Sequence, residues 1–421
     1  MSAVETHRAI EAVWRIESAR LIAGLARLVR DVGVAEELAQ DALVAALERW
    51  PETGVPGNPG AWLMATAKHR AIDTLRRRTR LEQKQEELGR AAVELERTTP
   101  DFAAAADDDI GDDLLRLIFT ACHPVLSREA RVALTLRLLG GLTTDEIARA
   151  FLVPEATVAQ RIVRAKRALG EARVPFEVPS GNERTERLSS VLEVVYLIFN
   201  EGYSATAGDD WMRPSLCDEA QRLGRILAGL TPQDPEVHGL VALMEIQASR
   251  SRARVNAAGE PILLLDQNRS RWDHLLIRRG LAALARAEQL GGALGPYALQ
   301  AAIAACHARA RTANDTDWAR IAALYDALSQ IAGSPVVELN RAVAVSMAYG
   351  PAAGLEIADA LSADGALQGY YLLPVVRGDL LERLGRMSEA RAQFEEAASL
   401  TRNSRERDVL LKRAAACALR E

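Results

Sequence analysis

The sequence predicts an all-α protein with two small helical modules followed by a long helical extension. Its length of 421 residues exceeds the usual size of one domain and indicates several compact units. Hydrophobic residues make up 49% and charged residues 26%, which is typical of a water-soluble globular protein. Aromatic residues reach only 5%, and apolar positions recur every three or four residues. This spacing favours helices over strands.

The cysteines and the N-terminus exclude several classes of protein. The four cysteines lie far apart without a CxxC pair, so neither a zinc ribbon nor a disulfide framework is indicated. The pairs Cys122-His123 and Cys306-His307 offer no third ligand, and adjacent helical residues point in different directions. We therefore expect buried thiols, with no metal and no cofactor. No secretory h-region and no run of about 20 apolar residues is present, which predicts a cytoplasmic protein that does not contact a membrane.

Charge is concentrated in three blocks. Residues 68–80 contain six basic residues and one acid, whereas residues 81–113 contain eleven acids and three basic residues. A second basic block follows, with five basic residues and one acid between residues 157 and 173. The acidic block has little to bury, so we interpret it as a tether between two basic surfaces. Solvated surface is the alternative explanation for each block taken alone.

A helix-turn-helix motif occupies residues 142–169. Thr143 or Thr144 can cap its first helix, whose apolar face is formed by Ile147, Ala148 and Phe151. A turn at residues 152–154 follows. The second helix has an apolar stripe at three- and four-residue spacing, formed by Val158, Ile162, Ala165 and Leu169. A helix around Leu114–Leu139 is predicted to support the pair, which completes a three-helix DNA-reading unit.

The outer face of the second helix carries the candidate DNA contacts. Glutamine can bond adenine and arginine can bond guanine through two hydrogen bonds, whereas basic residues near the C-terminal end suit phosphates. A helical hairpin with a basic surface but no DNA-binding role is the structural alternative. The candidate residues are Thr157, Ala159, Gln160, Arg161, Arg164, Lys166 and Arg167.

The first 173 residues resemble the extracytoplasmic-function (ECF) group of bacterial RNA polymerase sigma factors. The resemblance rests on residues 35–50 (AEELAQDALVAALERW), on residues 58–80 (NPGAWLMATAKHRAIDTLRRRTR) and on the helix-turn-helix, in that order. It implies a region 2 module at 1–80 for polymerase binding and minus-ten DNA, and a region 4 module at 113–173 for minus-thirty-five DNA. The acidic linker at 81–112 would then run through the RNA-exit region of the polymerase.

The resemblance also implies roles for individual residues. Glu36, Glu37, Gln40 and Asp41 belong to a polar face of one helix, and this face is expected to be exposed. Glu37, Gln40 and Asp41 are expected to dock on the clamp helices of the β′ subunit, while region 4 is expected to contact the β flap. Minus-ten DNA is expected along the basic side of the next helix. The residues on that side are Lys68, His69, Arg70, Arg76 and Arg77. The preceding loop has no aromatic residue beyond Trp50, so the residues that hold a flipped base stay open, and Trp62 is interpreted as core.

The extension begins after a hinge at 174–184 and continues to residue 421. Residues 378–400 (GDLLERLGRMSEARAQFEEAASL) have the glycine and alanine offsets of a tetratricopeptide repeat, with a glycine turn at Gly385. Residues 196–205 and 263–273 resemble the sigma-factor subgroup with a C-terminal tetratricopeptide-like domain. A possible regulatory groove for a protein or a ligand, or alternatively a buried polar network, is formed by Asn200, Glu201, Asp266, Gln267, Arg269 and Trp272.

The predicted function is promoter-specific transcription initiation with core RNA polymerase, modulated by the extension. No enzymatic activity is expected, because nothing in the sequence fixes the separation of a carboxylate pair such as Glu201 and Asp266. One alternative is a helix-turn-helix regulator with a repeat-type sensor that binds its operator without polymerase. Another is a peptide-binding repeat scaffold with an incidental basic hairpin.

Overall fold

The computed structural model describes residues 3–72, 110–151, 153–204, 212–256, 262–291, 294–401 and 404–419. Within these ranges the chain is built from α-helices joined by turns and three short 3-10 helices. This agrees with the all-α prediction. The chain divides into two compact units, Met1–Val194 and Val195–Glu421, which are described separately.

Unit 1 contains the two predicted modules. Its first helices are α1 (Ala3–Val29), α2 (Val32–Thr53) and α3, which begins at residue 59 and is described to residue 72. The second group comprises α4 (Ile110–Ala121), α5 (Arg128–Leu138), α6 (Thr144–Phe151) and α7 (Glu155–Glu171), and α8 (Gly181–Tyr203) begins in this unit. Helix α1 packs along α2 and also along α4, so the two groups share one core. Unit 1 is therefore a single compact body.

The supporting helix predicted around Leu114–Leu139 is two helices, α4 and α5. The chain turns at residues 122–127, where Pro124 lacks the amide hydrogen that a continuous helix needs. Ser127 then caps α5, since its hydroxyl accepts a hydrogen bond of 3.3 Å from the Ala130 amide. Helix is present on both sides of this turn, as predicted, but the break between α4 and α5 was not predicted.

The first half of α8 completes unit 1. The Arg187 guanidinium donates a hydrogen bond of 2.9 Å to the Phe119 carbonyl oxygen, and the Ser190 hydroxyl donates one of 2.6 Å to the Cys122 carbonyl oxygen. Arg128 lies 2.5 Å from the Glu193 carboxylate. Unit 1 therefore extends to Val194, beyond the hinge expected at 174–184.

Unit 2 begins with the second half of α8 and continues as a series of helices in which neighbours along the chain pack together. They are α9 (Pro214–Leu230), α10 (Pro235–Ala248), α11 (His274–Gln289), α12 (Pro296–Arg309), α13 (Trp318–Ala332), α14 (Pro335–Tyr349), α15 (Pro351–Asp364), α16 (Leu372–Arg383), α17 (Met387–Leu400) and α18 (Ser404–Ala418). This is the arrangement of a helical repeat, in which stacked pairs bury a continuous core.

The pair α16–α17 corresponds to the predicted repeat segment. Gly385 has a φ of 78° in the turn between the two helices, a conformation that favours glycine. A Cβ atom at Gly378 would lie 2.7 Å from the ring of Phe394, which is fully buried. The helices therefore approach so closely that only glycine fits at this contact.

Candidate functional site

The helix-turn-helix is present where the sequence predicted it. Thr143 caps α6 with a reciprocal pair of hydrogen bonds: its hydroxyl accepts from the Glu146 amide at 3.1 Å, and the Glu146 carboxylate accepts from the Thr143 amide at 2.8 Å. Helix α7 begins directly after Pro154. The predicted stripe on α7 is buried throughout, with Val158, Ile162, Ala165 and Leu169 all at 6% exposure or less.

The opposite face of α7 is open to solvent over most of its length. Ala159, Gln160, Arg164 and Arg167 are exposed, while Thr157 and Arg161 are half-buried. Arg167 forms an ion pair of 2.6 Å with Glu171, one turn later on the same exposed face. Because the apolar stripe of α7 is buried, the predicted DNA-contacting residues lie on the exposed side of the helix, which a DNA groove could reach.

Lys166 differs from the other candidates because it forms an ion pair with Glu36 of α2. The sequence placed Glu36 on the exposed polar face of that helix, and this is wrong: the residue is only 2% exposed. The Arg137 guanidinium approaches the same carboxylate at 2.6 Å. The buried carboxylate of the first module therefore pairs with two cations of the second module. A buried charged side chain is stable inside a protein only when it is paired with an opposite charge.

Two further ion pairs connect the same modules. Arg27 of α1 lies 3.2 Å from the buried Asp113 of α4, and Arg15 of α1 lies 3.0 Å from Glu146 of α6. The hydrogen bonds from the Thr143 backbone and hydroxyl, together with the Arg15 charge, keep the pKa of Glu146 below its usual range despite partial burial. The closed arrangement of unit 1 is therefore held by charges as well as by apolar packing.

The candidate polymerase contacts on α2 do not form a uniform acidic face. Glu37 and Asp41 are exposed, but the Gln40 amide donates a hydrogen bond of 2.7 Å to the Glu36 carboxylate. Asp41 pairs with Arg70 of α3 at 3.1 Å. A predicted polymerase contact and a predicted DNA contact thus lie against each other.

On α3, His69 is exposed and both Lys68 and Arg70 are half-buried. The remaining minus-ten candidates, Arg76 and Arg77, lie outside the described residues, as does the linker up to residue 109. The rings of Trp50 and Trp62 meet edge to face with centroids 5.3 Å apart. Trp50 is 1% exposed and Trp62 is half-buried, so Trp62 packs against the core.

In unit 2 the proposed groove residues do not gather around one point. Glu201 is buried and pairs with Arg213, while the Gln267 amide donates a hydrogen bond of 3.1 Å to the Ile262 carbonyl oxygen. Asn200 is half-buried, and Asp266 is exposed. These contacts connect loops to helices, and this agrees with the predicted alternative of a buried polar network.

Arg269 and Trp272 instead belong to a separate cluster. The Arg269 guanidinium donates hydrogen bonds to the carbonyl oxygens of His307 and Ala310, at 2.5 and 2.8 Å, and lies 4.8 Å from the centre of the Trp272 ring. The guanidinium carbon of Arg250 also lies near this ring, 6.0 Å from its centre. The sequence did not indicate Arg250, because only the fold brings it to Trp272.

Other features of the described residues bear on the remaining expectations. All four cysteines are buried and free, and burial raises the pKa of Cys122 to about 11 and that of Cys217 to about 12. Over the described ranges, no group of three or more His, Cys, Asp or Glu residues is arranged to hold a metal ion. In those same ranges no helix is long and apolar enough to cross a membrane.

Three segments of the chain match known protein families. Residues 16–81 match Sigma-70 region 2, and residues 116–169 match Sigma-70, region 4. These segments coincide with the first module and with the helices α4 to α7. Residues 187–288 match a family of unknown function, DUF6596, which covers the first part of the extension.

Relatives of the whole chain and of its first part are also known. A protein of Rhizobium meliloti (strain 1021), described as uncharacterized, is 44% identical over 387 residues, which cover 91% of this chain and 89% of that protein. The ECF RNA polymerase sigma factor SigK of Mycobacterium ulcerans (strain Agy99) is 30% identical over 149 residues, or 34% of this chain and 75% of SigK. The probable ECF RNA polymerase sigma factor SigI of Mycobacterium tuberculosis is 26% identical over 178 residues, covering 42% of this chain and 60% of SigI.

Among solved structures, yeast Tom70 aligns over 99% of this chain and 89% of its own, with 11% identity and a TM-score of 0.32. The family assignment depends on the sequence matches. Regions 2 and 4 of sigma-70 occur in this order along the chain, and each match falls on helices that the sequence analysis predicted. The match to SigK covers three quarters of the length of SigK. The chain therefore belongs to the ECF RNA polymerase sigma factors.

Proposed function

We propose that this protein binds core RNA polymerase and directs promoter-specific initiation, with its activity modulated by the extension. Helix α7 would enter the major groove of minus-thirty-five DNA, and α3 with the basic residues after it would hold the minus-ten strand. The polar face of α2, with Glu37, Gln40 and Asp41, would dock on the β′ clamp helices, and region 4 would contact the β flap. Catalysis would belong to the polymerase.

The observation that carries this proposal is the division of α7 into two faces. A fully buried apolar stripe fixes the helix on its module, and the opposite face presents Gln160, Arg164 and Arg167 to solvent. Glutamine and arginine are the side chains that read base edges through paired hydrogen bonds. Basic side chains on the same face also gain affinity from counterion release at phosphates.

Simultaneous contact with both promoter elements requires unit 1 to open. Elements named minus-ten and minus-thirty-five are about 25 base pairs apart, or about 85 Å at a rise of 3.4 Å per base pair. The longest helix among the described residues of unit 1, α1, has 27 residues and spans about 40 Å. The ion pairs of Glu36 with Arg137 and Lys166 hold the modules closer together than this. We therefore infer that the closed form is a resting state and that polymerase binding separates the modules.

The acidic linker fits this proposal. Residues 81–113 contain eleven acids and three basic residues, and this charge would let the linker occupy the path of the transcript until RNA displaces it. A long linker is also what two separating modules need, because an extended chain covers about 3.3 Å per residue.

Run-off transcription with purified core polymerase tests the proposal. The full chain should direct initiation from its cognate promoter, and the DNA-binding variant Arg164→Ala should reduce it. Binding of the promoter by the chain alone, with no effect of the chain on polymerase, would instead establish the helix-turn-helix regulator as the correct function.

The same assay tests the role of the extension. A truncation at Arg173 would remove the α8 residues that bond to Phe119 and Cys122, so it would damage region 4 as well as remove unit 2. A chain ending at Val194 keeps those contacts. Transcription by this truncation should differ from that of the full chain, and equal activity would exclude modulation by the extension.

A further inference from the structure

Unit 2 contains an arginine, Arg250, whose guanidinium group has no carboxylate partner among the described residues. Elsewhere in the unit, the exposed Arg225 and Arg279 both contact the buried Glu245, at 3.1 and 2.7 Å. Arg413 likewise lies 2.9 Å from Asp379 and 2.7 Å from Glu382. In both examples, a charged side chain that is removed from water has a partner of opposite charge.

Arg250 departs from this pattern. It follows α10, and among the residues that the structure describes no acceptor contacts its guanidinium group, whose Nε atom is fully buried. Two described aromatic rings lie near it: the ring centres of Tyr203 and Trp272 are 5.8 and 6.0 Å from its guanidinium carbon. These distances are at the outer limit of a cation–π contact, about 6 Å. Stacking on the rings therefore does not account for its position.

Two further arginines add positive charge around it. Arg254 is 6% exposed and lies directly over the Tyr203 ring, with 3.5 Å between the guanidinium carbon and the ring centre. Arg269 lies over the Trp272 ring and bonds neutral carbonyl oxygens. Burial lowers the pKa of both arginines, and the charge of Arg250 lowers each pKa further. Arg250 therefore repels both of the other guanidinium groups.

The surrounding titratable groups respond to the same positive potential. Burial, followed by the charges of Arg250 and Arg269, lowers the pKa of His307 to about 4, so this imidazole is neutral near pH 7. Asp315 is near Arg269 but makes no contact with Arg250, and it bonds instead to the amide and hydroxyl of Thr312. Asp315 therefore offsets part of the charge of Arg269, and no described carboxylate contacts Arg250.

We propose that Arg250, between the rings of Tyr203 and Trp272, is the centre of a binding site for a small organic oxyanion, either a carboxylate or a phosphate monoester. A guanidinium group presents paired N–H donors that match both kinds of oxyanion. The rings would contact the carbon skeleton of the ligand. The site lies within the segment that matches the family of unknown function, and it goes beyond the proposed transcriptional role.

Thermal unfolding of the full chain tests the proposal without polymerase or DNA, so the result is independent of the proposed function. Inorganic phosphate and succinate are titrated separately, with sodium chloride at matched ionic strength as the reference salt. The anion that fits the site, present at ten times its Kd, should raise the Tm by about 2–4 °C. Phosphate and succinate distinguish the two chemical sources, and absence of any increase with both anions would overturn the proposal.

Arg250→Gln should weaken the response about ten- to a hundredfold in concentration, because a charge-assisted pair of hydrogen bonds is lost. Arg252→Gln is the matched control, since Arg252 is exposed and only two residues away, and it should bind as the unaltered chain does. In the absence of anions, Arg250→Gln should keep or raise the Tm, because repulsion is relieved. A lower Tm with an unchanged anion response would assign Arg250 a packing role and refute the site.

If Arg250→Gln fails to fold, Arg250→Lys keeps the charge and provides the test. Lysine is a point charge without paired donors, so anion binding should persist but weaken. Binding by Arg250→Lys as tight as that of the unaltered chain would show that Arg250 does not bond the ligand.

Discussion

Replacing Glu36 with glutamine should shift unit 1 from its closed form towards an open one. Glu36 is 2% exposed, and its carboxylate contacts Arg137 at 2.6 Å and also contacts Lys166. Glutamine keeps the size and one oxygen acceptor but removes the negative charge. The two cations would then face each other across a neutral group at the junction of the modules.

The size of the free-energy change caused by Glu36→Gln depends on how exposed Arg137 and Lys166 are. Removing one member of a fully buried ion pair costs about 3–5 kcal/mol. The side chains of Arg137 and Lys166 are each 22% exposed, so water compensates part of this loss. The retained acceptor compensates a further part, and we take about 2 kcal/mol for the closed form relative to the open one. This corresponds to an increase of about thirtyfold in the ratio of open to closed molecules.

Single-molecule energy transfer between the modules measures this ratio. Dyes are attached to cysteines introduced by Glu48→Cys on α2 and Ala172→Cys after α7, both exposed positions. The four native thiols are buried and react slowly by comparison. Glu36→Gln should raise the fraction of molecules with low transfer efficiency.

The matched control is Glu37→Gln, which removes the same charge from the neighbouring exposed residue. It should leave the distribution of transfer efficiency unchanged. Identical distributions for the two variants would refute the reasoning that the Glu36 ion pairs hold the modules together. The same result would leave the assignment to the sigma-factor family intact.

Three other changes test separate parts of the structure. Arg161→Ala should weaken binding to the cognate promoter by about 1–3 kcal/mol in gel-shift titrations if it reads a base, and equal weakening on unrelated DNA would make it a phosphate contact. Gly378→Ala should destabilise unit 2 by about 1–3 kcal/mol in denaturant unfolding, because its methyl group would meet the Phe394 ring at 2.7 Å. Gly229→Ala, an exposed helical glycine with no atom within 4 Å of the new Cβ, should instead stabilise it slightly. Burial raises the pKa of Cys122 from 9.0 to about 11, so at pH 8 its reaction with a disulfide reagent should be about a hundredfold slower than in urea. Reaction at the rate seen in urea would show that this thiol is not buried.

Features that depend on neighbours along the chain were predictable from the sequence. The α7 stripe, the turn before Pro154 and the cap at Thr143 all arise from spacings of three or four residues, and the structure confirms each. The turn at Gly385 was predicted for the same reason. The exposed candidates on α7 followed directly, because burying one face of a helix leaves the opposite face outside.

Features that depend on distant neighbours were not predictable. The sequence placed Glu36 on an exposed face because the helical spacing of α2 describes one helix alone, whereas its partners are contributed by residues about 100 and 130 positions later. The separation of α4 and α5 depended on Pro124 and on the cap at Ser127, whose combined effect was missed.

The sequence by itself determined the fold class of this protein, the order of its modules and the family to which it belongs. These features depend on local periodicity and on short motifs, which can be recognised without the fold. The tertiary structure decided which charges are paired. It buried Glu36 between two cations, extended unit 1 into α8, and brought Arg250 to two aromatic rings without a described carboxylate. The physical reason is that the free energy of a charge is set by burial and by the partners within a few ångströms, and the chain acquires both only when it folds.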